Sequence, residues 1–211
     1  MTDSDTITGL LVAALEETWA AIRSHHPEVP DVVLTVGAGS TGGDLTLGHF
    51  APYRWVRGEY EMHELFVGGE GLQRGAANVL GTLLHEAAHG LAVARDIKDT
   101  SRQGRWHNER YRELGEELGL TLTQHPKIGW SLTTMPADTR ARYRGQLEEL
   151  AGALVAYRRR EPDRRGGRKS NNNGLVAECL CGRKIRVSPS VFAAAAIVCA
   201  GCGSEFTAEL S

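Results

Sequence analysis

The chain has 211 residues, of which 41% are hydrophobic, and a formal net charge of -2. That length suits one domain of about 150 residues plus a small appendage, with ample apolar material for a core. The acidic start, Met1-Thr2-Asp3-Ser4-Asp5, and Glu16 and Glu17 in the apolar stretch behind it argue against a secretory signal, and no run reaches membrane-spanning length; a cytoplasmic protein is expected.

The net charge hides an asymmetry. Residues 1–157 carry 14 Lys+Arg against 21 Asp+Glu, a balance of -7, and residues 158–211 carry 10 against 5, a balance of +5. The two parts are expected to meet different partners. All four cysteines lie after residue 178, and in a reducing compartment such clustering favours metal binding over disulfides.

Thr6 to Arg23 reads as an amphipathic helix with Ile7, Leu11, Leu15, Trp19 and Ile22 on one face and Asp5 near its start, a packing element. His25-His26-Pro27 and Pro30 make a polar turn without chemistry. Val32 to Val36 is β-branched and predicts a strand, and Gly37 to Gly43 predicts a loop. This loop lacks the GxxxxGK[ST] or GxGxxG order that would bind phosphate, and no helix follows it. Leu45 to Phe50 and Glu61 to Val67 complete an expected antiparallel set of three strands, with His49 and His63 on its solvent face.

The stretch from Gly71 to Arg95 carries the chemistry. From Ala76 to Ala94 the only polar side chains are Asn78, Thr82, His85, Glu86 and His89, a single stripe at helical spacing, while Leu80, Leu83, Leu84, Ala87, Ala88, Leu91 and Val93 cover the rest. A helix apolar on nearly every side is buried. Burying two histidines and a carboxylate without partners costs roughly 1–3 kcal/mol per group, so the stripe must face a cleft or an ion. His85-Glu86-Ala87-Ala88-His89 is an HExxH pentapeptide. Its histidines lie one turn apart on one face, where both can grip one metal ion, and Glu86 beside them can take a proton from a water there. The bland alternative is a chance HExxH on a surface helix.

After the polar loop Lys98 to Gly104, Trp106 to Leu118 predicts a helix with Tyr111, Leu114 and Leu118 inward, so His107 stands at a helix start. A hydrolytic zinc site needs a third protein ligand. His107 is the best candidate, with Glu109 and Glu113 as alternatives. Leu120 to Thr123 and Gly129 to Thr133 predict a short hairpin bordering the cleft. Asp138 to Tyr157 predicts one long helix with the packing stripe Tyr143, Leu147, Leu150, Leu154 and Tyr157.

From 158 to 174 periodicity stops. Arg158, Arg159, Arg160, Arg164, Arg165, Arg168 and Lys169 make it a basic linker, loosely held. Cys179-Leu-Cys181-Gly182 and Cys199-Ala-Gly-Cys202-Gly203 then match a structural zinc ribbon, in which four thiolates converge and each glycine permits a tight turn. A piece this small cannot be held by burial alone, so metal should order it. The linker, with Arg183, Lys184 and Arg186 of the ribbon, forms a cationic surface suited to nucleic-acid phosphates, although Phe192 and Phe206 are its only rings for base stacking.

His85-Glu86-x-x-His89, a downstream His107 followed by Tyr111, the strands before the helix and the cysteine tail together resemble the SprT-like (Spartan-type) zinc metallopeptidases. The similarity spans most of residues 5–160, and the tail extends it to the end. Metzincins continue HExxHxxGxxH, whereas Ala92 and Arg95 stand here, so that class does not fit.

The resemblance implies an α+β fold with a compact zincin-like core over 1–157, a linker over 158–174 and a four-cysteine zinc ribbon over 175–211. It implies His85, His89 and His107 as ligands of a catalytic Zn2+, Glu86 as base, Cys179, Cys181, Cys199 and Cys202 as ligands of a structural Zn2+, and protein substrates bound or crosslinked to DNA. Two other functions stay open at this point: a DNA-binding adaptor whose zincin fold does not cleave, and a narrowly specific processing protease indifferent to DNA.

Overall fold

A computed structural model of the chain describes residues 6–41, 44–161 and 174–208. The chain divides into two compact units, Met1–Asp163 and Arg164–Ser211. The fold is mixed α+β, built from small sheets and short helices. Among the described residues no helix is long and apolar enough to cross a membrane.

The first unit is arranged around its central helix. Helix α1 (Ile7–His25) starts where the Thr6 hydroxyl accepts from the Gly9 N–H at 3.0 Å, and it buries Leu11, Leu15, Trp19 and Ile22. Ile7, expected on that face, stays 57% exposed. Strand β1 (Val32–Gly37) leads through a small ladder, β2 (Ser40–Thr41) with β3 (Asp44–Leu45), to the long hairpin β4 (Gly48–Arg57) and β5 (Tyr60–Gly68). The sheet order is β1-β5-β4.

This sheet corrects the expected all-antiparallel set: β4 runs antiparallel to β5, but β1 runs parallel to it, with Leu34 opposite Leu65. Alternation also divides the two histidines. His49 lies on the face of Phe66, on which it stacks at 5.0 Å. His63 shares the face of buried Leu65 and Val67 and packs on Phe50 and Tyr53 at 5.2 and 4.7 Å.

A 3-10 turn (Gly69–Arg74) feeds helix α2 (Ala76–Ala94). Leu80, Leu83, Leu84, Ala87, Ala88 and Leu91 are fully buried there, each leucine contributing about 1.5–3 kcal/mol. Around α2 pack α1, β4, helix α3 (Glu109–Glu117) and helix α5 (Arg144–Ala153).

A second sheet, order β6-β7-β9-β8, is made of β6 (Thr100–Ser101), β7 (Trp106–His107), β8 (Thr121–His125) and β9 (Gly129–Thr134). His107 therefore ends a strand, and α3 begins two residues later, where the Asn108 side chain accepts from the N–H groups of Arg110 and Tyr111. The long helix expected over 138–157 is two pieces, α4 (Ala137–Arg142) and α5, bent at Tyr143, whose φ of -103° and ψ of 27° leave the helical region. Tyr143 and Leu150 are fully buried, but Tyr157 lies beyond the helix and is 56% exposed.

Residues 158–161, expected to open a loose linker, are fastened to the first unit. The Arg158 N–H donates to the Gly69 carbonyl at 3.0 Å and its guanidinium meets Glu70 at 2.7 Å. In the second unit β10 (Leu175–Glu178) pairs antiparallel with β11 (Lys184–Val187), and α6 (Pro189–Ala194) follows. Its buried apolar residues among those described are Ala177, Cys179 and Cys199.

Candidate metal centre

α2 places His85 and His89 one turn apart, and β7 brings His107 across to them. Ring centroids are 5.2 Å apart for His85 and His89, and 5.1 Å from His107 to each. One nitrogen from each of the three lies within 4.8 Å of the others, so the cluster can hold a metal ion. Glu109 and Glu113, the alternative third ligands, lie on α3 outside it, and Glu109 is held by Arg112.

The rings are fixed from behind. His89 Nδ1 meets Asp99 Oδ2 at 2.5 Å, and His107 Nδ1 meets the Ile128 carbonyl at 3.2 Å. Both partners are acceptors, so each Nδ1 carries the proton and donates it, which turns the Nε2 lone pairs inward. Those two Nε2 atoms stand 3.2 Å apart. Two facing lone pairs repel at that distance unless a positive charge sits between them. A tetrahedral ion with bonds of about 2.0–2.1 Å sets adjacent nitrogens roughly 3.3 Å apart, so the pair is spaced as two corners of such a site.

Tyr111, fully buried, closes the back: its ring is 4.4–5.0 Å from the three imidazoles, and its hydroxyl donates to the His85 carbonyl at 3.3 Å. Burial, with the charges of Glu86 and Asp99, pushes the phenol well above its ordinary range and keeps it neutral. Burial, then the neighbouring histidines, holds His85 well below the usual imidazole value, and burial with His89 lowers His107. For His89 burial acts downward, but the bond to Asp99 and the charges of Glu86 and Asp99 together outweigh it and the result is a rise.

Glu86 is 5% exposed, and its Oε2 accepts from the Phe50 N–H at 2.9 Å. Burial pushes its pKa up against the opposing pull of His89 and Phe50. Two glycines let the strands come this close. At Gly48 a Cβ would lie 2.7 Å from Thr82 Cγ2 and 3.2 Å from Glu86 Cγ; at Gly129, φ 73°, it would lie 2.0 Å from the His107 carbonyl oxygen. His85, Glu86 and His107 open onto a cleft of about 820 Å³, which Asn78 and Thr82 also line. Asp99, Gly48 and Gly129 were not singled out in the sequence. For Asp99 a signal existed: an acid in the short loop between two ligand-bearing segments, where a histidine's outer nitrogen needs an acceptor.

The second cluster is Cys179, Cys181, Cys199 and Cys202, whose sulfurs lie within 4.8 Å of one another and can hold a metal ion. None is in a disulfide. Two matching turns present them. Gly182 N–H donates to the Cys179 carbonyl at 2.9 Å and Gly203 N–H to that of Cys199 at 2.8 Å, with φ of 79° and 73° at the two glycines. The Cys181 to Cys199 separation of 3.9 Å is close to the roughly 3.8 Å expected between thiolates on one zinc at about 2.3 Å each. The Ser204 hydroxyl pulls the Cys202 thiol down to about 6, whereas the adjacent Cys179 and Cys202 sulfurs push Cys181 up to about 12. Four thiolates cannot coexist there without a cation.

The arginines expected to meet nucleic acid divide. Arg158 is committed to Glu70 and Glu161 (2.6 Å to the latter) and is withdrawn from that set. Arg159, Arg160, Arg183, Lys184 and Arg186 are exposed, with Lys184 3.3 Å from Glu178. Arg164, Arg165, Arg168 and Lys169 lie outside the described residues. Comparison with protein-family models, curated proteins and solved structures returned no match.

Proposed function

We propose that the chain is a zinc-dependent metalloendopeptidase with a zincin-type core, similar to the SprT-like peptidases. The supporting observation is the convergence of His85, His89 and His107 beside a buried Glu86 at the edge of an open cleft.

A zinc ion held by the three imidazoles would supply Lewis acidity and bring the pKa of a water toward about 7. Glu86 takes the proton of the attacking water and returns it to the departing amide nitrogen. Asp99 and the Ile128 carbonyl keep His89 and His107 in the ligating tautomer, and Tyr111 excludes water from behind the rings.

Cys179, Cys181, Cys199 and Cys202 hold a structural zinc, and the exposed Arg183, Lys184 and Arg186 of the same unit give it a surface for DNA phosphates. This supports substrates that are proteins on DNA.

The test uses the zinc-loaded full chain and an unfolded protein substrate. Glu86→Gln should keep its zinc and lose cleavage by about 100-fold or more; full activity in that variant removes Glu86 as the base. Metal content should be about two equivalents, falling to about one in His107→Ala and in Cys199→Ser.

A further inference from the structure

The cleft in front of the metal centre differs in charge from the unit that contains it. Residues 1–157 balance to -7, yet the charged side chains lining the cleft are Arg74, Arg140 and Glu86, and Glu86 is engaged at the site. Neither arginine is in an ion pair among the described residues, and both are exposed. Arg140 is steadied by one bond, from its Nε to the Met135 carbonyl at 3.2 Å.

The walls hold something else that solvent disfavours: Leu45 on one side and Ile128 and Leu132 on the other are 40%, 40% and 48% exposed. Large aliphatic side chains left open on both walls mark a surface that a ligand covers.

From these we infer that the cleft selects extended peptide segments with aliphatic side chains next to the scissile bond and acidic side chains further out. The inference deepens the peptidase reading and rests on it. Position follows from the helix: Arg74 stands two residues before α2, and Ala76, which opens the helix, is nine helical steps from His85, about 14 Å at 1.5 Å per residue. A strand covers that in about four residues, so the carboxylate that meets Arg74 belongs to a side chain about four positions from the cleaved bond. A positive cleft in a negative unit also concentrates acidic segments there and repels them elsewhere on that unit. Nucleic-acid phosphate is the other anion that two arginines could take, but the lining holds no Phe, Tyr or Trp for base stacking, and its aliphatic walls match side chains.

The experiment measures binding separately from turnover. Zinc-loaded, full-length Glu86→Gln is titrated against fluorescein-labelled peptides with a leucine-rich centre flanked by glutamates or by lysines, and against a single-stranded oligonucleotide. The glutamate peptide should bind at least about tenfold tighter than the lysine peptide, with the margin shrinking in salt. Arg74→Glu with Arg140→Glu should reverse the order, whereas Arg74→Lys with Arg140→Lys should keep it; zinc content checks that each variant is folded. Equal affinity for the two peptides, an order unmoved by charge reversal, or tighter binding of the oligonucleotide overturns the inference. Failure of wild-type chain to cleave the glutamate peptide while Glu86→Gln binds it overturns the peptidase reading and leaves the acidic-segment site standing.

Discussion

At the scale of single residues, the pentapeptide supplies two of the three histidines of the candidate metal site. His85 and His89 are placed by helical spacing alone, but which nitrogen of His89 faces inward is decided by Asp99, ten positions away and 2.5 Å from Nδ1. Removing an acceptor of that kind costs about 10–100-fold in metal affinity. Asp99→Ala should therefore weaken zinc at this site by that factor in a competition titration against a chromophoric chelator. The four-cysteine site should keep its affinity. Asp99→Asn, which retains an acceptor oxygen but not the charge, should fall between. Unchanged affinity in Asp99→Ala would mean that backbone packing alone orients the ring.

Among the elements, β7 and β9 matter most, because they carry His107 to the helix pair. Their closest approach requires the bare backbone of Gly129, whose φ of 73° and contact with the His107 carbonyl leave no room for a Cβ. Gly129→Ala should cost at least about 1–2 kcal/mol from its backbone angle alone, and it should lower zinc occupancy at the histidines and not at the cysteines, as read by metal analysis after gel filtration. The sequence made α2 legible to the residue, since an apolar run with one polar stripe has a single helical solution. It could not show the direction of β1, because alternation with period 2 is the same for a parallel or an antiparallel neighbour. Nor did it show how far β4 runs. The strand expected over Leu45 to Phe50 runs from Gly48 to Arg57, and the register shift between Ala51 and Trp55 absorbs Pro52 in a bulge. His107 was legible as the best candidate for a third ligand, with Glu109 and Glu113 beside it, and not as a strand residue, because a two-residue strand leaves no periodicity to read.

On the scale of the whole molecule, charge and composition separate an acidic part from a basic, cysteine-bearing part, but arginine content misplaces the border. Arg158 belongs to the first unit through Glu70, which is 1% exposed and also accepts from the Ser40 hydroxyl at 2.5 Å and the Gly39 N–H at 2.8 Å. This clasp ties the end of the unit to the glycine-rich segment that runs on into the cleft wall at Leu45, Thr46, Leu47 and Gly48. Burial pushes the Glu70 carboxyl upward, yet Ser40, Gly39 and Arg158 outweigh it and hold the group at about 2, below its ordinary 4.5. A depressed carboxyl stabilises the folded state above the unfolded pKa, and the contribution is lost as pH falls from about 4.5 through about 2. A chain ended after Tyr157 lacks the guanidinium and leaves Glu70 short of its cation, whereas one ended after Glu161 retains the clasp. At pH 7 the shorter chain should melt lower by roughly 5 °C. The gap should narrow as pH is lowered toward 2, since protonating Glu70 removes what Arg158 pairs with. In the shorter chain the freed glycine segment should also raise KM for peptide more than it lowers kcat. Equal melting temperatures for the two chains at pH 7 would place the border of the first unit back at Tyr157.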